Sequence, residues 1–308
     1  MIDIVMPFYN DSDEKWRNVC KTYMKEENNN DRQVVGDERY RDWECLKYWF
    51  RGVENNCPWV NKVFLIVASD TQIPNWLNIN HPKLRIVYHR DFIPWDLLPT
   101  FNTFTIENYI CKIKDLSDNY IYCNDDYFFL NPISPNMFFV DNYPVYRDNA
   151  KELIKFGAYW LEGSDGTFYY VINNGMDLQL KECKEKAHWY PLDHMPVSHK
   201  KEFESKIIDK YKDLFLDANK TSKFRDKYKI SNHVFTCLYR DLKPYYKFDN
   251  YYNSSYVSIK SDTNFNQYKD NHMACFNDTE QLDNFEITKE HMLSFFENKF
   301  PNKCTYEK

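Results

Sequence analysis

The stretch DNYIYCNDDYFFLNPIS, residues 118–134, sets Asn124, Asp125 and Asp126 inside an aromatic and apolar run. Asn and Asp are frequent turn residues because their side chains bond the local backbone, so the triplet can be turn chemistry alone. The flanks YIYC and YFFL read as buried strands instead. Carboxylates at the end of a buried strand need a counter-charge, and clustered carboxylates suit hard cations such as Mg²⁺. Successive strand residues point to opposite faces, so Asp125 and Asp126 can share one cation only if the chain turns between them. On these residues alone, turn and metal site both remain open.

Short β-branched and aromatic runs at 2–9, 62–69, 84–89 and 120–123 predict strands of a sheet covered on both faces. Between them, Trp43, Leu46, Trp49, Phe50 and Val53 recur at steps of three and four, as do Ile106, Tyr109, Ile110 and Ile113, which predicts helices with one apolar stripe each. Alternating strands and helices imply an α/β fold with a mostly parallel sheet and flanking helices, Rossmann-like, with its ligand site outside the carboxyl ends of the strands. Asn124–Asp126 falls at such an end. So do Asn10, Asp11 and Asp13 after the first strand, and Asp70 after the second. Helical spacing returns at Phe203, Ile207, Tyr211 and Leu214 and again near 287–300, whereas 141–190 is less regular. With no repeat and no Pro- or Gly-rich linker, the expectation is one composite domain over 1–308. A sheet core occupies about 1–140, helical and loop additions about 141–270, and a C-terminal block, 271–308, returns to the site.

The 308 residues are 43% apolar, enough for a substantial core. A formal net charge of -6 argues against general nucleic-acid binding, which rests on surplus Lys and Arg. Nine cysteines without a CxxC pair suit free thiols in a reducing compartment. No run approaches the ~18 apolar residues of a membrane span, and no signal-like leader opens the chain, so a cytoplasmic protein is expected, with room for a peripheral position at the inner membrane face. Six glycines form neither GxGxxG nor GxxxxGK[ST], so any phosphate must be held by side chains, a metal or a helix N-terminus.

Four blocks together resemble the Stealth family. This family comprises the sugar-1-phosphate transferases of bacterial capsule synthesis and the catalytic core of the lysosomal-enzyme GlcNAc-1-phosphotransferase. IDIVMPFYNDSDEKW is similar to the family's IDxVxxWVDGSDxxW. A block of roughly a hundred residues runs from RYRDWECLKYWF through SDTQIPNWL and FNTFTIENYI to YCNDDYFFLNPI. HMPVSHKKEFESKI and ACFNDTEQL complete the set. Departures are Phe8 and Tyr9 for Trp-Val, Asp11 and Thr71 for Gly, and Tyr109 and Cys111 for histidines. They bear on donor and acceptor preference more than on the reaction.

The resemblance implies transfer of a sugar-1-phosphate from a UDP-sugar, UDP-GlcNAc or similar, to a hydroxyl of a glycan acceptor, with release of UMP. It assigns Asp125, Asp126 and Asp278 to Mg²⁺ or Mn²⁺, His194 to general-base work, and Arg225 to phosphate oxygens, which a guanidinium fork fits better than Lys does. Substrate contacts would come from Asn10, Asp11, Asp13, Arg41, Asp42, Asp70, Asn102, Glu107, Asn124 and Asn277. Plainer roles stand beside these: Asn277-Asp278 as a helix cap, His194 as a structural histidine, Arg41-Asp42 as a helix-start ion pair, and Asn10–Asp13 as a solvated loop. A metal-dependent glycosyltransferase releasing UDP would use the same acidic motif, and a non-catalytic carbohydrate-binding protein would need none of it.

Overall fold

The computed structural model describes residues 1–10, 12–27, 36, 38, 40–147, 151–152, 167–190, 194–248, 253–279 and 282–308. Its centre is a five-stranded sheet built from β1 (Ile2–Pro7), β2 (Val63–Val67), β3 (Leu84–Tyr88), β4 (Asn119–Tyr122) and β10 (Val197–Lys200). The strand order is β10-β4-β1-β2-β3. β1 pairs in parallel with β2 and β4, β2 pairs in parallel with β3, and only β10 runs antiparallel, with His199 opposite Tyr120. The fold is therefore α/β with a mostly parallel sheet, resembling that of nucleotide-sugar transferases. The chain leaves β1 toward β2 and β3 and returns past β1 to form β4. This reversal opens a crevice at the carboxyl ends of β1 and β4.

Strand alternation divides the core in two. Ile4, Met6, Leu65 and Ile121 face one cluster with Trp49 and Phe50 of α2 (Leu46–Asn56). Val5, Phe64, Ile66, Tyr120 and Tyr122 face the other, with Ile106 of α3 (Thr103–Tyr109) and Val234 and Leu238 of α7 (His233–Leu242). Among the described residues, the remaining α-helices are α1 (Glu14–Glu26), α4 (Thr167–Cys183), α5 (Lys201–Lys210), α6 (Lys212–Lys220) and α8 (Phe285–Lys299). Trp43 stands before α2 begins, and the stripe read through Phe203, Ile207, Tyr211 and Leu214 is broken at Tyr211, where φ -114 and ψ 32 leave the helical region. Among the described residues, no helix is long and apolar enough to cross a membrane.

Directly after β4 the chain turns, Tyr127 N donating to Asn124 O at 3.2 Å, and continues as β5 (Tyr127–Phe129). β5 belongs to a second sheet, β12-β13-β5, with β12 (Ser254–Ser258) and β13 (Met273–Asn277). Cys275 of β13 stands opposite Tyr127, and Phe276 N donates to Asp126 O at 2.9 Å. A cluster of tilted and edge-on rings, Phe128, Phe276, Phe295 and Phe296, joins this sheet to α8, with Phe128 and Phe296 centroids 4.4 Å apart. Smaller pairings complete the described strands: β6 (Phe139–Val140) and β11 (Tyr246–Phe248) flank β7 (Tyr143–Arg147), and β8 (Lys151–Glu152) meets β9 (His188–Trp189).

β5 is braced from behind by α2. Asn56 Nδ2 donates to Phe129 O at 2.8 Å, and a Cβ on Gly52 would lie 2.7 Å from that same oxygen. Only a hydrogen fits there. Gly52→Ala is expected to destabilise the protein by about 1–3 kcal/mol through overpacking. Because β5 carries the acidic turn, any retained fold should also lose activity. Urea denaturation monitored by fluorescence, together with turnover of the refolded variant, checks both expectations.

Candidate active site

A single concavity of about 640 Å³ opens at the carboxyl ends of β1 and β4 and gathers Arg41, Asp42, Glu107, Asn124, Asp125, Asp126, His194, Arg225, Asn277 and Asp278 into its wall. These ten come from six separate stretches of chain. The turn after β4 answers the geometric question of the acidic pair, since it lets consecutive carboxylates face one space. Asp125 is open to the cavity's solvent, yet protein crowds it on the other sides. That burial raises its carboxyl to about 6, and the like charge of Asp42 adds to the effect. Burial raises Asp126 further, to about 7, with Asp125 and Asp278 contributing repulsion. One oxygen of Asp126 accepts from Cys275 Sγ at 3.4 Å, while Oδ1 is buried without a hydrogen-bond partner. Two crowded carboxylates and an orphaned acceptor are a donor set for a hard divalent cation. Among the described residues, no three His, Cys, Asp or Glu side chains already converge as a ligand group.

Asp278, the third ligand that the resemblance implies, is held by Arg41. Arg41 Nε reaches Asp278 Oδ2 at 2.6 Å, Nη2 bonds Oδ1, and Trp43 Nε1 donates to Oδ2 at 3.0 Å. The fork fits the carboxylate on two oxygens, which is the geometry that favours Arg over Lys. It ties the segment before α2 to the end of β13 beside the acidic turn. The cap reading of Asp278 does not hold, since Asn284 caps the last helix, accepting from Ile287 N. Asp42 accepts from Glu44 N at 2.7 Å, and Asn277 Nδ2 donates to Asp278 O at 3.0 Å.

Arg225 rides on a loop fixed from below. Its Nη2 donates to Thr103 Oγ1 at 2.9 Å, at the start of α3, and its guanidinium lies 5.4 Å from the Phe104 ring centre. Lys229, fully buried, donates to Asn219 O at 3.0 Å and Ser222 O at 2.7 Å and so closes the loop. Asn102 contributes from the other side: its Oδ1 caps α3 at Phe104 N, and its Nδ2 donates to Phe224 O at 3.1 Å. It is completely buried and outside the cavity wall, so the structure places it behind Arg225. Glu107 is raised to about 7 by burial, against the pull of the Tyr122 hydrogen bond, Arg225 and His199. The Tyr122 hydroxyl lies between Glu107 Oε1, at 2.6 Å, and Asn124 Oδ1. One proton cannot serve both acceptors, but a protonated Glu107 satisfies the chain by donating to Tyr122.

Other expected contacts lie off the cavity wall. Asp13 is the N-cap of α1, accepting from Lys15 N and Trp16 N, and its second oxygen accepts from Thr71 Oγ1 at 2.6 Å and Gln72 Nε2 at 2.8 Å. Asn10 accepts from Ser12 N and Oγ, and its own N–H donates to Gln72 Oε1 at 2.7 Å. Asp70 accepts from the Tyr88 hydroxyl. Hydrogen bonds within the protein engage all three, and of this cluster Trp16 and Gln72 line the cavity. Asp11 lies outside the described residues. His194 sits exposed at the mouth with its ring 5.0 Å from that of Tyr256. Sequence reasoning passed over Tyr122, His199, His233 and Tyr256, all of which line the cavity. Nothing in the spacing of His199 and Tyr256 announces them, because β10 and β12 reach the site only through sheet pairing.

An acidic turn and an arginine thus converge in the crevice of a mostly parallel α/β sheet, a setting suited to an anionic substrate. Residues 39–146 match the model of Stealth protein conserved region 2. Over its whole length the chain is 31% identical to the capsular polysaccharide phosphotransferase WcwK of Streptococcus pneumoniae, covering 98% of that protein. It is 29% identical, also over its whole length, to the exopolysaccharide phosphotransferase cps2G of Lactiplantibacillus plantarum, covering 96% of it. Over 129 residues, 40% of this chain and 53% of the relative, identity reaches 42% with the capsular polysaccharide phosphotransferase eps5J of Streptococcus thermophilus. The chain belongs to the Stealth family and is a phosphotransferase.

The acidic pair carries a stability cost that pH reveals. A carboxyl whose folded value lies above its unfolded value of 3.8 binds more protons when folded, so stability falls as pH rises through the folded value. Without divalent cations, Asp126→Asn should therefore melt higher than wild type at about pH 7, and the gap should close as pH drops toward 4. Calorimetric scans across that range in chelator give the comparison.

Proposed function

We propose that the enzyme transfers a sugar-1-phosphate from a UDP-sugar, UDP-GlcNAc or a close relative, to a hydroxyl of a glycan acceptor in capsular or cell-surface polysaccharide synthesis. The observation that carries this reading is the convergence of the crowded Asp125-Asp126 pair and Arg225 on one cavity, in a chain whose full-length relatives are named for phosphotransfer onto polysaccharides. In such transfer the acceptor oxygen forms a bond to the β-phosphorus, the bond from that phosphorus to the bridging oxygen of UMP breaks, and the hydroxyl proton leaves. The protein's part is to position the groups and stabilise charge.

Asp125 and Asp126 would hold Mg²⁺ or Mn²⁺, whose contribution is to neutralise diphosphate oxygens. Arg225, fixed by Thr103 and by the loop that Lys229 closes, presents its guanidinium to the phosphoryl oxygens. His194, exposed at the mouth, receives the proton of the incoming hydroxyl. Arg41 keeps Asp278 in place and neutralises it, so that the acidic charge facing a cation is concentrated in the turn. The nine cysteines are all buried and free, which supports placing the enzyme in the reducing cytoplasm, peripheral to the inner membrane face.

Incubation with Mg²⁺, a panel of UDP-sugars and a capsule-type oligosaccharide should yield UMP and a phosphodiester resonance in the ³¹P spectrum of the glycan. UDP with a phosphorus-free glycan would assign the enzyme to glycosyl transfer instead. His194→Ala should lower kcat by about 10² to 10⁴ with donor affinity retained, the pattern of a lost general base. Arg225→Lys should remain impaired despite its charge, because a fork becomes a point charge. Steady-state kinetics with both substrates varied separates these effects.

A further inference from the structure

Away from the acidic turn, one end of the cavity is closed and polar. His199 is 3% exposed, and Ser231 and Thr236 are similarly buried, yet all three line the same space as Glu107. His199 is held with unusual care for a residue outside the acidic and arginine machinery. Its Nδ1 lies 2.8 Å from Glu204 Oε1, and that carboxylate also accepts from Lys200 N at 3.2 Å and from the Tyr120 hydroxyl. The ring stacks on Tyr120 at 5.1 Å and meets the edge of Tyr122 at 6.2 Å. With Nδ1 committed to Glu204 and the ring clamped, Nε2 is the polar atom that His199 offers to the cavity. A bond of this kind sets ring orientation and leaves the second nitrogen for a ligand, the logic by which carboxylates key histidines in binding and catalytic sites.

The closed end is continuous with the site. Asn124 beside the acidic pair bonds Tyr122, Tyr122 bonds Glu107, and Glu107 feels the charge of both Arg225 and His199. A polymeric acceptor must leave the cavity to solvent, which suits the mouth, where His194 is exposed and Tyr256 is 49% exposed. A group that terminates the substrate can be enclosed. The sugar of a nucleotide sugar is such a terminus, directly attached to the diphosphate that the acidic turn and Arg225 would hold. Hydroxyls on its ring match a lining of imidazole, carboxyl and hydroxyl groups, since each can both give and take a hydrogen bond.

We propose that this closed end receives the sugar ring of the nucleotide-sugar donor, and that His199, keyed by Glu204, hydrogen-bonds one ring hydroxyl through Nε2. The inference rests on the donor class given under Proposed function. It makes His199 a specificity-determining residue, distinct from His194 at the mouth.

The test uses the full chain, its best UDP-hexose from the panel, and the series of that donor's deoxy analogues. His199→Phe keeps an aromatic ring against Tyr120 and removes both nitrogens. It should raise the donor KM about tenfold, the value of one hydrogen bond, while the affinity for UMP and the acceptor KM stay at wild-type values. For one deoxy analogue, the about tenfold penalty seen in wild type should vanish in the variant, because the partner hydroxyl and the imidazole are then removed together. Equal penalties in both proteins across the whole series, or a loss of UMP affinity matching the loss of donor affinity, would overturn the proposal. If His199→Phe does not fold by melting analysis, His199→Gln is measured in the same series with the same expectations. A wild-type enzyme that turns over no nucleotide sugar would fail the donor reading itself, and this inference with it. Normal wild-type turnover with an unchanged analogue profile in the variant fails the inference alone.

Discussion

Two adjacent carboxylates crowded into one concavity are the constraint around which the site is organised. Asp125 and Asp126 repel each other, lose water through burial, and leave one oxygen of Asp126 without a partner. A fold maximising stability would not place them there. They persist because the surrounding elements leave them little choice: the turn after β4 is pinned by Tyr127 N to Asn124 O, by Phe276 N to Asp126 O, and by α2 pressing through Gly52 on β5. Stored electrostatic cost of this kind is typical of sites poised for a cation and an anionic substrate.

The other charges near the turn are paired so that they do not cancel it. Arg41 directs its fork to Asp278 and also donates to Thr279 O, so this arginine neutralises a third carboxylate beside the pair. Arg225 is anchored by Thr103 and electrostatically coupled to Glu107. The result is a cavity graded in exposure, with His194, Tyr256 and Asp125 exposed and His199 buried near Glu107.

Architecture makes this grading possible. The reversal of strand order at β1 and β4 opens the crevice. The antiparallel edge strand β10 then lines the crevice on one side with His199, while the small β12-β13-β5 sheet walls the other with Tyr256, Phe276 and Asn277. Two clusters of aromatic and aliphatic side chains, one on each face of the central sheet, hold both walls rigid. That rigidity allows buried polar groups such as Lys229 and Glu204 to act as fixed struts beneath the loop of Arg225 and the ring of His199.

By itself, the sequence determined those features whose information is local. Apolar runs marked β1 to β4 to within a residue or two, because a strand covered on both faces must be continuously apolar. The triplet after β4 declared itself by polarity in an apolar context, and extended block similarity carried the family. Tertiary structure decided whatever depends on residues far apart in the chain. It split the helix expected through Tyr211, made Asp13 and Asn102 caps with internal partners, and gave Asp278 to an arginine 237 positions away. It also brought His199 and Tyr256 to the cavity from strands whose short sequences look like any edge strand. Pairing register and desolvation are properties of the assembled sheets. No window of sequence contains both partners of β4 with β10 or of β5 with β13, so the histidine facing the cavity and the elevated carboxyls emerge only once those strands have met.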